Sequence, residues 1–192
     1  MKQVVQTQHT LHAHEWKGAV LFLCNSEFVF FIKRSEGMPT HGGQMAFVGG
    51  HRKEDETDPW AVAQREFEEE TGLRSHVIEL VGYLPVVMTA RLQPIVPVVG
   101  KLHISINEFF KQVESNGEWD DIIAYPWKEL MIEENWEVAW RNGYTKLPVL
   151  FHPVRRGTFI PKTQDFHTHL LWGATASMVW NFLRLYYKIG PG

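Results

Sequence analysis

The sequence predicts an α+β fold, an α/β/α sandwich in which a mixed β-sheet lies between helices. Three observations predict it: several short β-branched runs, one strongly marked helix at residues 59–71, and further helical patterns only late in the chain. Strands on both sides of one helix, followed by more helices, are typical of a sheet covered on its faces. The length of 192 residues favours a single domain over 1–192, with a core at about 17–187 and a peripheral segment at 1–16.

The first strand signals form a hairpin. Residues 18–24 and 28–32 are apolar runs separated by Asn25-Ser26-Glu27, a turn-prone triplet. Phe47-Val48, directly before two glycines, predicts a strand that enters a tight turn. Later β-rich segments cover residues 77–87, 94–102 and 104–108. Prolines in the first two of these favour strand ends or edges.

The clearest helix signal covers residues 59–71. Asp58 suits the N-cap, Pro59 the first helical position, and Gly72 the left-handed residue after the last turn. The apolar stripe of this helix consists of Trp60, Ala63 and Phe67. Further helices are predicted at residues 126–133 and 172–187.

The composition narrows the class of protein. Apolar residues make up 44% and charged residues 21%, with a net charge of −3. This balance excludes a disordered chain. The sequence has no cluster of Lys and Arg, so it does not indicate binding to duplex nucleic acid. The apolar residues 170–187 are interrupted by Asn181 and Arg184, so we expect a buried helix rather than a membrane span.

The cysteine count and the N-terminus bear on the compartment. Cys24 is the only cysteine, which excludes an intramolecular disulfide, and the first residues lack the apolar run of a secretion signal. We therefore expect a cytoplasmic protein in which Cys24 is a buried apolar residue. The aromatic-rich chain ends are compatible with a homodimer.

Three glutamates of the 59–71 helix share one arc. Glu66, Glu69 and Glu70 fall within about 100° of one another, because spacings of three and four residues align side chains. Carboxylates this close repel each other, and the helix dipole disfavours anions near the C-terminal end. A hard divalent ion such as Mg²⁺, which prefers oxygen ligands, would offset both effects. The alternative is a solvated charge run that pairs with Arg65 and Arg74.

The sequence around these glutamates favours a metal site over a solvated charge run. After Gly50 the chain has five residues, Glu56, eight residues, and then Arg-Glu-Phe-Glu-Glu-Glu-Thr-Gly-Leu at 65–73. This pattern resembles the Nudix box, the signature of the Nudix hydrolase superfamily: Gly-x5-Glu-x7-Arg-Glu-U-x-Glu-Glu-x-Gly-U, where U is apolar. Nine fixed positions match by residue type. The one extra residue before Arg65 is similar to the spacing common in the coenzyme A pyrophosphatase subfamily.

A segment upstream of the box resembles the same subfamily. Residues 40–50, with Arg34-Ser35 before them, look like its His-x-Gly-Gln-x-x-Phe-Pro-Gly-Gly motif. The chain departs from this motif at Pro39, where an arginine is usual, and at Val48, where a proline is usual. Later likenesses lie at residues 117–119 and 171–176, so the resemblance extends from about residue 19 to about 186.

The resemblance implies a Nudix fold and a metal-dependent pyrophosphohydrolase that acts on a small nucleoside diphosphate derivative, with no nucleic acid or membrane as partner. The subfamily hydrolyses coenzyme A or acyl-coenzyme A to 3′,5′-ADP and 4′-phosphopantetheine. The alternative is a Nudix hydrolase of nucleoside diphosphate sugars such as ADP-ribose. A non-catalytic nucleotide-binding module is disfavoured, because such modules usually lose box carboxylates and this chain keeps them.

The resemblance also implies roles for single residues. The Gly50 carbonyl, Glu66, Glu69 and Glu70 would bind Mg²⁺ or Mn²⁺. Arg65, with Glu56, would orient these glutamates. A further acid from outside the box would act as metal ligand or general base. Glu118 is our choice for it, with Asp120 and Asp121 as weaker rivals, so the catalytic candidates are Glu66, Glu69, Arg65 and Glu118.

Candidate substrate contacts lie outside the box. They are Arg34, His41, Gln44 and Arg91. The two residues of the 40–50 loop have a simpler interpretation as loop hydrogen bonds. Arg91 is either a solvated loop residue or a fork-shaped donor to a diphosphate or a 3′-phosphate.

Overall fold

The computed structural model describes residues 15–140, 148–154, 159–162 and 169–188. Across these ranges the chain forms an α+β architecture, as predicted. The helices are α1 (Pro59–Thr71), α2 (Ile106–Gln112), α3 (Trp127–Leu130) and α4 (Gly173–Tyr187). The strands are β1 (Gly18–Cys24), β2 (Phe28–Arg34), β3 (Met45–Ala46), β4 (Val48–His51), β5 (Ile78–Tyr83), β6 (Val87–Met88), β7 (Pro94–Leu102), β8 (Trp119–Pro126), β9 (Glu137–Trp140), β10 (Pro148–Val154), β11 (Ile160–Pro161) and β12 (His169–Trp172).

A mixed sheet forms the centre of the molecule. In the described part of the chain it has nine strands, in the order β11-β8-β2-β1-β7-β5, with β3 on β2, β4 on β1 and β6 on β7. Strands β1 and β7 are parallel, whereas the neighbouring pairs β1–β2, β2–β8 and β5–β7 are antiparallel. A second sheet of three strands has the order β12-β10-β9.

Two hydrophobic clusters cover the two faces of the main sheet. Alternate residues of each strand point to opposite faces, so Leu21 belongs to one cluster and Phe22 to the other. Helices α1 and α2 pack on the first face, through residues such as Phe67 and Phe109. Helices α3 and α4 pack on the second, where Phe182 stacks on Phe22 with ring centroids 4.8 Å apart. This is the predicted α/β/α sandwich.

Several sequence predictions are confirmed. The hairpin exists as β1 and β2, and α1 has the predicted bounds, N-cap and left-handed Gly72. The C-terminal helix α4 begins one residue after the predicted start, and no helix in the described ranges is long and apolar enough to cross a membrane. Cys24 is fully buried.

Other predictions were wrong at particular residues. Gly49 and Gly50 do not form a tight turn but lie within β4, opposite Val20 and Ala19 of β1. Residues 104–108 are not a strand, because the Ser105 side chain accepts the Glu108 N–H and starts helix α2. The helix predicted at 126–133 is only the single turn α3, followed by a 3₁₀ turn at Glu133–Asn135.

Strand β7 lies inside the sheet although proline favours edges. The Pro97 carbonyl of β7 points towards the residues that connect β5 and β6, where it accepts the Leu84 N–H at 2.9 Å. A residue's N–H and C=O point to the same side of a strand, so the missing N–H of Pro97 falls where the ladder is already interrupted. The interruption explains why an interior strand tolerates this proline.

The predicted peripheral segment needs one correction. Trp16, placed in the segment 1–16, is fully buried in the first cluster. Its ring is covered by the Arg52 guanidinium at 5.5 Å, and its carbonyl accepts a hydrogen bond from Arg52 Nε at 3.2 Å. The core therefore includes residue 16, whereas residues 1–14 lie outside the described ranges.

Candidate active site

Helix α1 presents its acidic residues beside strand β4. The Asp58 carboxylate accepts the Trp60 N–H at 3.0 Å and begins the helix, and Gly72 ends it with φ 70°. Burial of Val62, Ala63 and Phe67 on the sheet fixes the rotation of the helix. That rotation turns Glu66 and Glu70 towards β4.

Two glycines of β4 allow the glutamates to approach. The Gly49 N–H donates to Glu70 Oε1 at 2.9 Å. A Cβ added at Gly50 would lie 2.3 Å from Glu66 Oε1, so only glycine leaves room for this carboxylate. The backbone of β4 and two carboxylates of α1 therefore share one small volume.

Arg65 holds the acidic groups together. Its guanidinium donates to Glu56 at 2.7 and 3.1 Å, to Glu66 at 2.7 Å and to Glu69 at 3.0 Å. It also donates to the His51 carbonyl at 3.1 Å. The hydrogen bond with Arg65 lowers the pKa of Glu56. Arg65 thus contacts three glutamates at once, and its role in orienting them for a metal stays a prediction.

Glu70 is the most deeply buried acid of the site. Its side chain is 2% exposed, and its Oε2 is buried with no hydrogen-bond partner among the described residues. Burial, together with the negative charges of Glu118 and Glu66, raises the pKa of Glu70 to about 8. The Gly49 N–H and the charge of Arg34 oppose this rise. An unpaired buried carboxylate oxygen is a group that a cation would stabilise.

Glu118 lies near the helix, at the start of β8. Burial raises the pKa of Glu66, and the charges of Glu69 and Glu118 add to this although Arg65 opposes it. The negative charge of Glu118 therefore acts on both Glu66 and Glu70. Asn116 fixes it, since its side chain accepts the Glu118 N–H at 3.0 Å and donates to Glu118 Oε1 at 3.2 Å.

The two rivals of Glu118 lie elsewhere. Asp120 accepts the Glu36 N–H at 3.2 Å. Asp121 is buried, pairs in register with Lys33, and shares a sheet face with Ile123, on the side of α4. Of the three acids, Glu118 is the one whose charge raises the pKa of Glu66 and Glu70.

The donor set fits a hard cation, although the described residues contain no preformed cluster of three Asp, Glu, His or Cys side chains around a metal position. Arg65 occupies Glu66 and Glu69, and Glu69 is half exposed, with Lys53 at 3.8 Å. The unpaired Glu70 Oε2 and the adjacent Gly50 backbone are oxygen donors of the type that Mg²⁺ prefers. To bind a cation, Glu66 and Glu69 would exchange their bonds to the guanidinium for the ion.

The upstream loop lies next to Glu118. Ser35 donates its N–H to the Glu118 carbonyl at 2.9 Å. Arg34, at the end of β2, has a buried Nε with no hydrogen-bond partner among the residues described. His41 and Gln44 pair with each other, Nδ1 to Oε1 at 3.2 Å, as the simpler interpretation predicted. The structure therefore brings Arg34 to the site and leaves His41 and Gln44 on its exposed loop.

Arg91 lies in the exposed turn between β6 and β7. Thr89 closes this turn, because its N–H donates to the Gln93 carbonyl at 3.0 Å and its carbonyl accepts the Leu92 N–H at 2.9 Å. The Gln93 side chain meets the His51 ring at 3.1 Å. The turn is therefore attached to the end of β4, whose carbonyl Arg65 binds.

Sequence reasoning gave no role in holding the site to three residues that contact it. They are Asn116, Trp119 and His51. Asn116-Gly117 is a turn signal that could have indicated a fixed Glu118. The Trp119 indole N–H donates to the Glu70 carbonyl at 2.8 Å, across a separation of 49 residues, so no local pattern predicts it.

An open cavity of about 590 Å³ lies at the other end of β2 and β8. Ser26, Phe28, Trp127 and Lys128 are among the residues that line it, and none of the predicted site residues does. Strand β2 runs from Phe28, at the cavity, to Arg34, at the glutamates. The candidate site is therefore separate from this cavity.

Comparisons with known proteins agree with the box pattern. The family model described as the NUDIX domain matches residues 15–139. Nudix hydrolase 15, mitochondrial, of Arabidopsis thaliana is 26% identical over 163 residues, which cover 85% of this chain and 54% of the relative. Nudix hydrolase 22, chloroplastic, of the same plant is 28% identical over 166 residues, covering 85% and 51%. The chain spans about half the length of these curated relatives.

A shorter match reaches a relative with a more specific name. The peroxisomal coenzyme A diphosphatase of Mus musculus is 36% identical over 75 residues, which cover 39% of this chain and 32% of the relative. Among solved structures, a C. elegans Ap4A hydrolase complex matches with TM-score 0.46 and 17% identity over 55% of this chain and 76% of that one. A MutT/nudix family protein from Enterococcus faecalis matches with TM-score 0.48 and 11% identity over 97% and 64%.

Proposed function

Because the chain belongs to the NUDIX domain family, we propose that it is a metal-dependent pyrophosphohydrolase whose substrate is coenzyme A or an acyl-coenzyme A. One observation carries the proposal. Glu66 and Glu70 of α1 lie against the glycine backbone of β4, and the buried Glu70 Oε2 has no hydrogen-bond partner among the described residues. Neither helix stability nor packing needs such an arrangement, whereas a cation site does.

The proposed cation is Mg²⁺ or Mn²⁺, held by the Gly50 carbonyl, Glu66, Glu69 and Glu70. When bound, it supplies positive charge to the diphosphate of the substrate. Arg65 keeps its two bonds to Glu56 and so orients the neighbouring glutamates for their ligand role. Burial of Glu70 makes an unpaired charge costly there, which favours binding of a cation.

Glu118 is the proposed general base. Asn116 holds it in the loop directly before β8, and its charge acts on Glu66 and Glu70. The water oxygen attacks one phosphorus of the diphosphate, the bond from that phosphorus to the bridging oxygen breaks, and Glu118 accepts the proton of the water. The products are 3′,5′-ADP and 4′-phosphopantetheine or its acylated form.

Two observations support coenzyme A among the diphosphates. The mouse relative is named as a coenzyme A diphosphatase, and its match is partial. In this chain, Arg34 has a buried Nε with no hydrogen-bond partner among the described residues, and we propose that it contacts a phosphate group of the substrate. The exposed Arg91 turn lies beside β4. His41 and Gln44 are proposed as further contacts, for which their mutual hydrogen bond would open.

The substrate test uses the purified chain with Mg²⁺ or Mn²⁺ and five compounds: coenzyme A, dephospho-coenzyme A, ADP-ribose, UDP-glucose and a diadenosine polyphosphate. Products are identified by mass. We expect 3′,5′-ADP from coenzyme A in clear preference to the other cleavages. Cleavage of ADP-ribose with coenzyme A intact would contradict the coenzyme A proposal and favour the sugar nucleotide alternative.

A variant pair separates catalysis from mere nucleotide binding. Glu69→Gln removes an anionic ligand, and we expect kcat to fall at least about 100-fold. Glu68→Gln is the matched control, because Glu68 lies on the same helix but binds Ser75 and Arg74 instead. Equal activities of the two variants would contradict the assigned ligand set. A chain that binds nucleotides but cleaves none would be a sensor.

The cellular setting belongs to the same proposal. We propose a cytoplasmic setting because Cys24 is the only cysteine. The named relatives include mitochondrial, chloroplastic and peroxisomal proteins. Cell fractionation with an antibody to the chain would decide between these compartments. The homodimer stays a prediction that light scattering of the purified chain can check.

A further inference from the structure

The end of helix α1 is held from outside the helix. The last carbonyl groups of any α-helix have no partner within it and need other donors. Gly72 N–H donates to the Glu68 carbonyl at 3.0 Å, and Glu114 N–H donates to the Thr71 carbonyl at 2.8 Å. The Trp119 indole N–H donates to the Glu70 carbonyl at 2.8 Å. Two of these three bonds come from residues 114–119, the segment between α2 and the first residue of β8.

The 114–119 segment also carries Glu118, the neighbour of Trp119, whose negative charge acts on both Glu66 and Glu70. Cation binding requires these carboxylates in their ionised form, in which they repel each other. An opposing attraction must then keep the segment against the helix. The indole bond to the Glu70 carbonyl is such an attraction. It is buried, where a hydrogen bond is electrostatically stronger than in water.

The Trp119 ring is itself fixed. It is 3% exposed and belongs to the first hydrophobic cluster. The Lys162 ammonium lies 5.9 Å from the ring centroid and also binds the Val113 carbonyl. Ser115 Oγ donates to the Trp119 carbonyl at 2.6 Å, and Trp119 is paired in register with Arg34 of β2. The indole N–H therefore has one direction only, towards the end of α1.

We propose that Trp119 is a positioning residue, whose indole N–H holds the last turn of α1 so that Glu70 and Glu118 keep a fixed separation. This inference rests on the proposed metal site and adds to it a residue outside the box motif. It assigns to this buried hydrogen bond, beside the Glu114 N–H bond to the Thr71 carbonyl, the role of joining the two segments that supply carboxylates. Its loss lets the like charges move the helix end and Glu118 apart, which weakens cation binding.

The test is Trp119→Phe, which keeps an aromatic ring and removes the N–H. The dissociation constant for Mn²⁺ is measured by electron paramagnetic resonance of the free ion, without substrate. We expect it to rise about tenfold, the lower end of the effect of residues that orient metal ligands. A dissociation constant equal to that of the unmodified chain would overturn the proposal.

Trp127→Phe is the matched control. The Trp127 indole N–H also donates to a backbone carbonyl, that of Asn25, at 2.9 Å, and the side chain is 5% exposed. It lies at the opposite end of β8, so its loss should lower thermal stability comparably and leave Mn²⁺ binding unchanged. If Mn²⁺ binding weakened equally in both variants, the effect would come from general loss of stability, and the proposal would be overturned.

If Trp119→Phe does not fold, a second replacement at position 119 tests the same proposal. Benzothienylalanine at position 119 keeps the two-ring volume and replaces the N–H by sulfur, and we expect the same weakening. Mn²⁺ binding is measured without substrate. If the chain binds Mn²⁺ but cleaves none of the five compounds, the proposed function is contradicted. The comparison of Mn²⁺ binding between the variants then still decides the role of Trp119. A chain that binds no Mn²⁺ overturns both.

Discussion

Glu70 shows how one residue can couple stability to ion binding. Its carboxyl group is 2% exposed, has one hydrogen bond from Gly49 and leaves Oε2 unpaired among the described residues. Burial raises its pKa from 4.5 to about 8. Between pH 4.5 and about 8, the Glu70 carboxyl is therefore mostly protonated in the folded, ion-free chain and mostly ionised in the unfolded chain.

This difference predicts a pH dependence of the ion-free chain. A raised carboxyl pKa gives a contribution to the free energy of unfolding that is fully present below pH 4.5 and is lost as the pH rises to about 8. Thermal unfolding in EDTA at pH 6 and pH 8.5 measures it, and we expect the lower melting temperature at pH 8.5.

The control for this prediction is Glu70→Gln. Its amide cannot ionise, so its melting temperature should differ less between the two pH values. Mg²⁺ should raise the melting temperature of the unmodified chain more at pH 8.5 than at pH 6, because the ion binds the carboxylate form. The same pH slope in both proteins would show that another group is responsible.

At the scale of elements, the contact of β4 with α1 defines the site. A Cβ at Gly50 would lie 2.3 Å from Glu66 Oε1, and Arg65 holds this carboxylate at 2.7 Å, so Glu66 has little freedom to move aside. We predict that Gly50→Ala folds but displaces Glu66, and that Mn²⁺ affinity falls about 10- to 100-fold. Isothermal titration calorimetry with Mn²⁺ measures this change.

Gly37→Ala is the matched control for the glycine prediction. A Cβ at Gly37 would meet no atom within 4 Å, so this variant should bind Mn²⁺ as the unmodified chain does. If Gly50→Ala also bound Mn²⁺ normally, the close approach of β4 and Glu66 would have no role in the site.

The elements that sequence predicted well are those with local signals. Helix α1 was predicted to the residue because Asp58, Pro59 and Gly72 act within one turn of its ends. The hairpin of β1 and β2 likewise depends on a short turn, in which the Asn25 side chain accepts the N–H groups of Glu27 and Phe28. Strand β4 was misjudged because pairing with β1, a distant segment, overrides the turn preference of Gly49-Gly50.

The site divides in the same way. Glu66, Glu69 and Glu70 share an arc through helical periodicity alone. The box pattern identified Arg65, which binds Glu66 and Glu69. The placement of Glu118 beside them depends on β8 pairing with β2, a contact between segments about 90 residues apart. The Trp119 bond to the Glu70 carbonyl depends on the same pairing. Such long-range contacts leave no periodic trace in a sequence.

At the scale of the whole molecule, the sheet joins two cores. Phe67 of α1 lies in the cluster on the site's face, and Phe182 of α4 lies in the cluster on the other face. Both side chains are at most 1% exposed. Because β1, β2, β7 and β8 contribute residues to both clusters, neither core can form without the shared strands. The predicted single domain should therefore unfold in one step.

Two large-to-small substitutions test this cooperativity. Phe67→Ala and Phe182→Ala should each lower the free energy of unfolding by about 3–5 kcal/mol, the usual effect of removing a buried ring. Urea unfolding is followed by tryptophan fluorescence and by far-ultraviolet circular dichroism. We expect one transition for each variant, with coincident probes, since loss of either core removes the support of the shared sheet. If a variant instead unfolded in two transitions, one of them at the same urea concentration as in the unmodified chain, the chain would consist of two folding units. Helices α1 and α4 would then belong to different units.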